Sequence, residues 1–198
     1  MTGDSNQRNS SFQLILDTTE QLIKEKGCRQ TTLQDIIDRT GLSKGAIYHY
    51  VSGKDELYGL ILKSKIELVN DRFQETISKP IGKTTTPPLQ MLTKNMLAQD
   101  EQREITNKIF TYLMSQSDNP KVSEVLTELF NYSVMMSRNW IQAGQEAGAI
   151  PQELDATRIA SIFTTFNYGL RVQSVIAKDS EFALQEEDVF GFLFRSLR

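Results

Sequence analysis

The chain has 198 residues and a mass of 22.5 kDa, enough for one or two domains with a real apolar core. Its formal net charge is −3 with a pI of about 5.3, which taken alone argues against nucleic acid. A single cysteine, Cys28, excludes an intrachain disulfide and points to a reducing compartment.

The distribution of charge says more than the sum. Residues 1–54 carry a balance of +1 and residues 55–198 a balance of −4. An acidic body orients the less acidic end towards a phosphate backbone, with modest affinity for random DNA and a strong salt dependence. No N-terminal run resembles a signal peptide, and no apolar run reaches the roughly 18 residues that span a bilayer. A cytoplasmic protein without a membrane partner is the expectation.

In chain order, residues 1–9 are polar and read as disordered. A helix follows from Ser10 or Ser11 to Lys26, with Ile15, Leu22 and Ile23 at helical spacing and Gly27 ending it. Thr31 or Thr32 then caps a short helix, with Gln34 or Asp35 completing a capping box, and Leu33, Ile36 and Ile37 form its apolar face. Gly41 takes the positive φ that stops this helix and turns the chain. Ser43 caps the next helix, residues 44–50. A longer helix, residues 54–79, buries Leu57, Ile61, Leu68 and Phe73, and Asp55 and Glu56 suit its N-terminal dipole.

Residues 80–88, PIGKTTTPP, are the clearest break and divide residues 10–79 from residues 80–198. Thr86 and Pro87 read as cap and first residue of a helix to about Ala98. Further helices are expected over residues 99–116, with Ile105, Ile109, Phe110, Leu113 and Met114 inward, and over residues 118–145. Residues 155–177 form another. The last, residues 185–198, is apolar over too much of its circumference for a lone surface helix, so a partner subunit is expected to cover it. No strand and no repeat is evident. The fold class is all-α.

Helix, glycine turn and helix over residues 31–50 form a helix-turn-helix, whose second helix enters the DNA major groove. From Ser43 to Lys54 there are two lysines and a histidine but no acid. Lys44, Gly45, Ala46, Tyr48 and His49 are the candidates to face the groove. Thr32, Ser43, Tyr50 and Lys54 are the candidates to hold phosphates, Lys54 with the free N–H groups at the start of its helix.

Residues 12–60 resemble the DNA-binding domain of the TetR family of bacterial transcriptional regulators. The matching residues are Thr31-Thr32-Leu33-Gln34-Asp35-Ile36, then Gly41-Leu42-Ser43-Lys44-Gly45-Ala46-Ile47-Tyr48-His49-Tyr50, then Lys54-Asp55-Glu56-Leu57. Ile37 stands where the family usually has Ala, and Val51 where Phe is commoner; both stay apolar. The resemblance implies a three-helix DNA-binding domain followed by a helical domain for effector binding and dimerisation, about nine helices in all. It implies a repressor that binds a palindromic double-stranded operator as a homodimer. A small apolar or aromatic effector would release the DNA by moving the helix that begins at Lys54.

On that resemblance the candidate effector contacts are Met91, Phe110, Met114, Phe130, Trp140, Phe166 and Asn167, with Arg171 one turn beyond Asn167. Each Met or Phe among them also reads as plain core. The candidate dimer contacts are Ile162, Phe166, Leu170, Phe190, Leu193 and Leu197, set in the last two helices as half of an intersubunit four-helix bundle. An enzyme finds little support: His49 is the only histidine, and no metal-ligand spacing, phosphate loop or nucleophile elbow is present. No cofactor and no metal are expected. A helical protein-interaction adaptor is the alternative reading, and it leaves the chemistry of residues 43–54 without a purpose.

Overall fold

The computed structural model describes residues 3–78, 85–177 and 180–198. Among them are nine helices and no strand. They are α1 (Gly3–Gln30), α2 (Leu33–Thr40), α3 (Lys44–Tyr48), α4 (Lys54–Ile77), α5 (Thr86–Met96), α6 (Glu101–Met114), α7 (Pro120–Glu146), α8 (Ala156–Ile176) and α9 (Glu186–Ser196). Two features of α1 differ from expectation. The helix begins at Gly3 rather than at Ser10, and no proline or glycine lies between Asp4 and Asn9 to interrupt it. Helical residues also continue beyond Gly27, which kinks the backbone (φ 79°, ψ 164°) without ending the element. Of the proline-rich stretch, residues 80–84 lie outside the described residues. Thr85, not Thr86, is the cap of α5, and Thr86 is already helical.

The helices gather into two compact units. One takes in the chain up to Leu62 together with Glu101–Leu126; the other comprises Lys63–Asp100 and Thr127–Arg198. Their division differs from the one expected at residue 80, because α6 packs on α1. Tyr112 of α6 meets Tyr58 of α4 edge-on, with ring centroids 5.5 Å apart. As a consequence α4 and α7 are each shared: their first turns belong to the first unit and the remainder to the second.

In the first unit, Ile15, Leu16, Leu22 and Ile23 of α1 are buried with Ile36 of α2, Ile47 of α3 and Leu57, Tyr58 and Ile61 of α4. Each such aliphatic side chain contributes about 1.5–3 kcal/mol on burial. In the second unit the core joins Leu89, Ile141, Ile150, Ala160, Phe163, Leu170, Val189, Leu193 and Leu197, with α5 lying against α9. Two expected core residues are instead exposed, Leu68 (45%) and Met114 (48%). Leu68 is exposed although it lies on the side of α4 that buries Ile61 two turns earlier, and Met114 is the last residue of α6, next to the buried Leu113.

Candidate nucleic-acid interface and cavity

The turn between α2 and α3 is built by local chemistry. Thr32 and Asp35 form the capping box: the Thr32 N–H donates to Asp35 Oδ2 at 2.7 Å, and the Asp35 N–H donates to Thr32 Oγ1 at 3.2 Å. Lys26 Nζ lies 2.7 Å from Asp35 Oδ1. The hydrogen bonds from Lys26 and Thr32 hold the Asp35 carboxyl down at about 2, so the box stays charged across the working pH range. At Gly41 φ is +68° and the N–H reaches the Ile37 carbonyl, a left-handed cap that a side chain would strain. Ser43 Oγ then accepts from the Ala46 N–H at 3.2 Å and starts α3.

One side chain of α3 faces inward. Ile47 is fully buried, and Val51 just beyond the helix is nearly so. Burying Ile47 turns Lys44, Gly45, Tyr48 and His49 outward, all of them exposed. Tyr48 is 47% exposed, and Lys44 Nζ lies 5.5 Å above its ring. Ser43 is exposed and Ala46 half-buried. His49 forms the C-cap, and its ring meets Tyr50 at 5.3 Å. The Tyr50 ring also packs on Phe12 of α1, with centroids 5.2 Å apart, so its orientation is fixed by α1. Thr32 is exposed, but its hydroxyl donates to Asp35 Oδ2 at 2.6 Å.

For Lys54 the structure corrects the expectation. Its ammonium does not stand free for a phosphate; it donates to the carbonyls of Cys28, Arg29 and Thr31 at 3.2, 3.1 and 3.2 Å. Three donors meet three acceptors, and the Tyr112 ring lies 5.2 Å from the cation. Tyr58 adds a fourth tie, its hydroxyl donating to the Cys28 carbonyl at 2.9 Å. Just ahead of α4, Glu56 Oε2 accepts from the Ser52 N–H at 2.7 Å and from the Ser52 hydroxyl at 2.8 Å. Lys54 is therefore a brace between the end of α1 and the start of α4. Cys28, within this brace, is buried, and desolvation pushes its thiol up to about 11. The Tyr112 hydroxyl is raised to about 12, by burial and then by the Asp55 charge.

The second unit holds a cavity of about 330 Å³ walled by α4, α5, α7, α8, α9 and the α7–α8 loop. Trp140 is in the wall, its ring 5.5 Å from that of Phe73 and its indole N–H donating to Asn70 Oδ1 at 3.0 Å. Of the seven expected effector contacts, Trp140 is brought to this cavity and the other six are not among its described lining. Phe110 is core of the first unit, and Met114 is at its surface. Phe130 meets Tyr168 edge-on at 5.9 Å, and Phe166 packs on Phe192 at 4.8 Å. Met91 and Asn167 are half-buried elsewhere. Arg171 is desolvated, which lowers its guanidinium to about 10.

The wall residues missed by the sequence reading include Leu89, Leu92 and Met96, which share one face of α5, and Gly144. A Cβ at Gly144 would come within 2.6 Å of Ile150 Cδ1, so the bare backbone lets the α7–α8 loop lie against α7. The small residues Ala143 and Gly144 at the end of α7 and Ala147 just beyond it were the available signal. The dimer candidates also divide. Leu170, Leu193 and Leu197 are core of their own unit, the last two in the cavity wall, because Val189, Leu193 and Leu197 recur every fourth residue along the inner face of α9. Phe190 and Phe194 stack on each other at 5.5 Å and are half-buried, while Ile162 is exposed.

Residues 15–61 match the sequence model of bacterial regulatory proteins of the tetR family. Over 168 residues the chain is 22% identical to the uncharacterized HTH-type transcriptional regulator YfiR of Bacillus subtilis, covering 84% of this chain and 80% of that one. It is 26% identical over 110 residues to the HTH-type transcriptional repressor KstR2 of Rhodococcus jostii, covering 50% of this chain and 54% of that one. Residues 15–61 are thus of the tetR-family DNA-binding type. The solved structure of a SmeT–triclosan complex shares the fold, with a TM-score of 0.66, 18% identity, and coverage of 95% of this chain and 90% of that one. Both relatives are described as HTH-type transcriptional regulators or repressors. Among the described residues no helix is long and apolar enough to cross a membrane.

The two lysines of this interface separate brace from contact. Lys54→Met is expected to lower the melting temperature and leave the salt dependence of DNA binding unchanged. Lys44→Met is expected to reduce the slope of log K against log salt by about one. Melting curves and salt titrations of the two variants check both; a lowered slope for Lys54→Met would return that residue to the phosphates.

Proposed function

We propose that the chain is a TetR-family repressor that binds a palindromic operator as a homodimer and leaves it when a small molecule enters the cavity. The observation that carries the DNA part is the outward set of Lys44, Gly45, Tyr48 and His49 over a buried Ile47. A cation, a bare backbone and two polar rings on one side of a rigidly capped helix supply both phosphate and base-edge contacts. The similarity to KstR2, whose own description is a repressor, supports the sign of regulation.

A dimer is supported by α8. Ile162, Val172 and Ile176 are exposed at 47%, 48% and 78%, and with Phe166 and Gly169 they fall at helical spacing along one face. Phe192 of α9, packed on Phe166, is 39% exposed and extends that patch. A contiguous apolar face of this kind belongs in an interface. Ligand entry is coupled to DNA through α4, one helix whose first turn is braced by Lys54 and whose Phe73 and Ile77 line the cavity. A coupling of about 1–3 kcal/mol is enough for regulation. The similarity in fold to SmeT, which was solved with triclosan, supports a small-molecule effector.

Fluorescence anisotropy on DNA from upstream of the protein's own gene, against a scrambled fragment at two salt concentrations, tests the reading. Selective binding that survives the higher salt is expected for the native chain. Tyr48→Ala is expected to lose at least about tenfold in affinity, equivalent to about 1.4 kcal/mol. Equal affinity of native and variant protein would remove α3 from the interface. The oligomer is tested separately: Val172→Glu should give a folded monomer by light scattering, whereas Leu193→Glu should unfold the second unit by burying a charge. A Val172→Glu dimer would displace the interface from α8.

A further inference from the structure

The chemistry of the cavity wall narrows what can occupy it. Among the described lining residues none is charged. The polar side chains are the Thr85 and Ser137 hydroxyls and the Trp140 indole, and the indole N–H is already committed to Asn70. The remainder is aliphatic, aromatic or small, from Phe73 on α4 to Leu197 beyond α9. A carboxylate, phosphate or ammonium entering this space leaves water and meets no counter-charge among those residues, a loss of several kcal/mol by transfer energetics. An apolar group entering it gains about 25 cal/mol for each Å² removed from water. The volume, about 330 Å³, lies near the small end of ligand pockets.

We infer that the cavity selects a compact, uncharged, largely apolar molecule and discriminates against the same skeleton bearing a charge. This inference rests on the reading of the cavity as the effector site. The two hydroxyls offer at most a hydrogen bond to one neutral polar group, a hydroxyl or carbonyl, which fixes orientation. A volume of about 330 Å³ suits one or two rings or a short chain.

Two dyes of one skeleton test it, N-phenyl-1-naphthylamine and 1-anilinonaphthalene-8-sulfonate, which differ by a sulfonate. Trp140 is the only tryptophan of the chain and stands in the wall, so quenching of its emission reports occupancy directly. The expected result is that the neutral dye quenches Trp140 and binds at least about tenfold more tightly than the sulfonate. A smaller preference, or the reverse, overturns the selectivity while leaving the cavity a ligand site. Failure of both dyes to quench Trp140 overturns the effector-site reading itself, and the selectivity with it. Ala143→Phe on α7, or Leu92→Phe on α5 should the first not fold, fills the space from the wall. Either is expected to weaken the neutral dye by at least about fivefold. Unchanged binding would put the dye outside the cavity and overturn the assignment.

Discussion

The recognition unit depends on one cation among backbone carbonyls. The last carbonyls of a helix have no partner within it, and where α1 ends the kink at Gly27 turns the backbone aside. Lys54 supplies what is missing, its ammonium shared by three carbonyls from Cys28 to Thr31, with Tyr58 added on the first of them. A cation is also the favourable charge at a helix C-terminus. Because the residue opens α4, the same contact fixes where α4 begins relative to α1 and α2. α3 lies between those points, its side chains aimed by Ile47 and Val51 in the core beneath. The outward direction of Tyr48 and His49 follows from the burial of Ile47 and Val51 beneath them.

What was legible in the sequence is what local chemistry decides. A threonine three residues before an aspartate, a glycine at a turn and a serine before a lysine each act within a few residues, and the caps of α2 and α3 formed as read. The all-helical fold follows from the same periodicity. Lys54 was misread because its partners are 23 to 26 residues away in sequence and are backbone atoms, which leave no side-chain pattern. A lysine at a helix start in a DNA-binding motif looks like a phosphate ligand until the end of α1 is seen to lie beside it.

The second unit shows a different limit. A helix apolar on all sides needs cover, but its composition does not say whether its own chain or another supplies it. In α9 the chain supplies one face, through Val189, Leu193 and Leu197, and leaves Phe192 partly bare. The stripe on α8 is left exposed at Ile162, Val172 and Ile176. Aromatic and methionine character points to Trp140, which lines the cavity, and to six residues outside its described lining. Phe130 and Phe166 pack on Tyr168 and Phe192, whereas the cavity wall draws on Leu89, Leu92 and Met96 of α5 and on Gly144, against which Ile150 closes. Empty space is marked by what is absent, and only packing reveals it.

On the proposed function, occupancy of the cavity and release of DNA are one event, carried by α4. The direct measurement follows Trp140 emission and the anisotropy of a labelled operator in the same sample while the neutral naphthylamine dye is added. Both signals should move with the same concentration dependence, DNA leaving as Trp140 is quenched. Complete quenching of Trp140 with the DNA still bound at undiminished affinity would contradict the account.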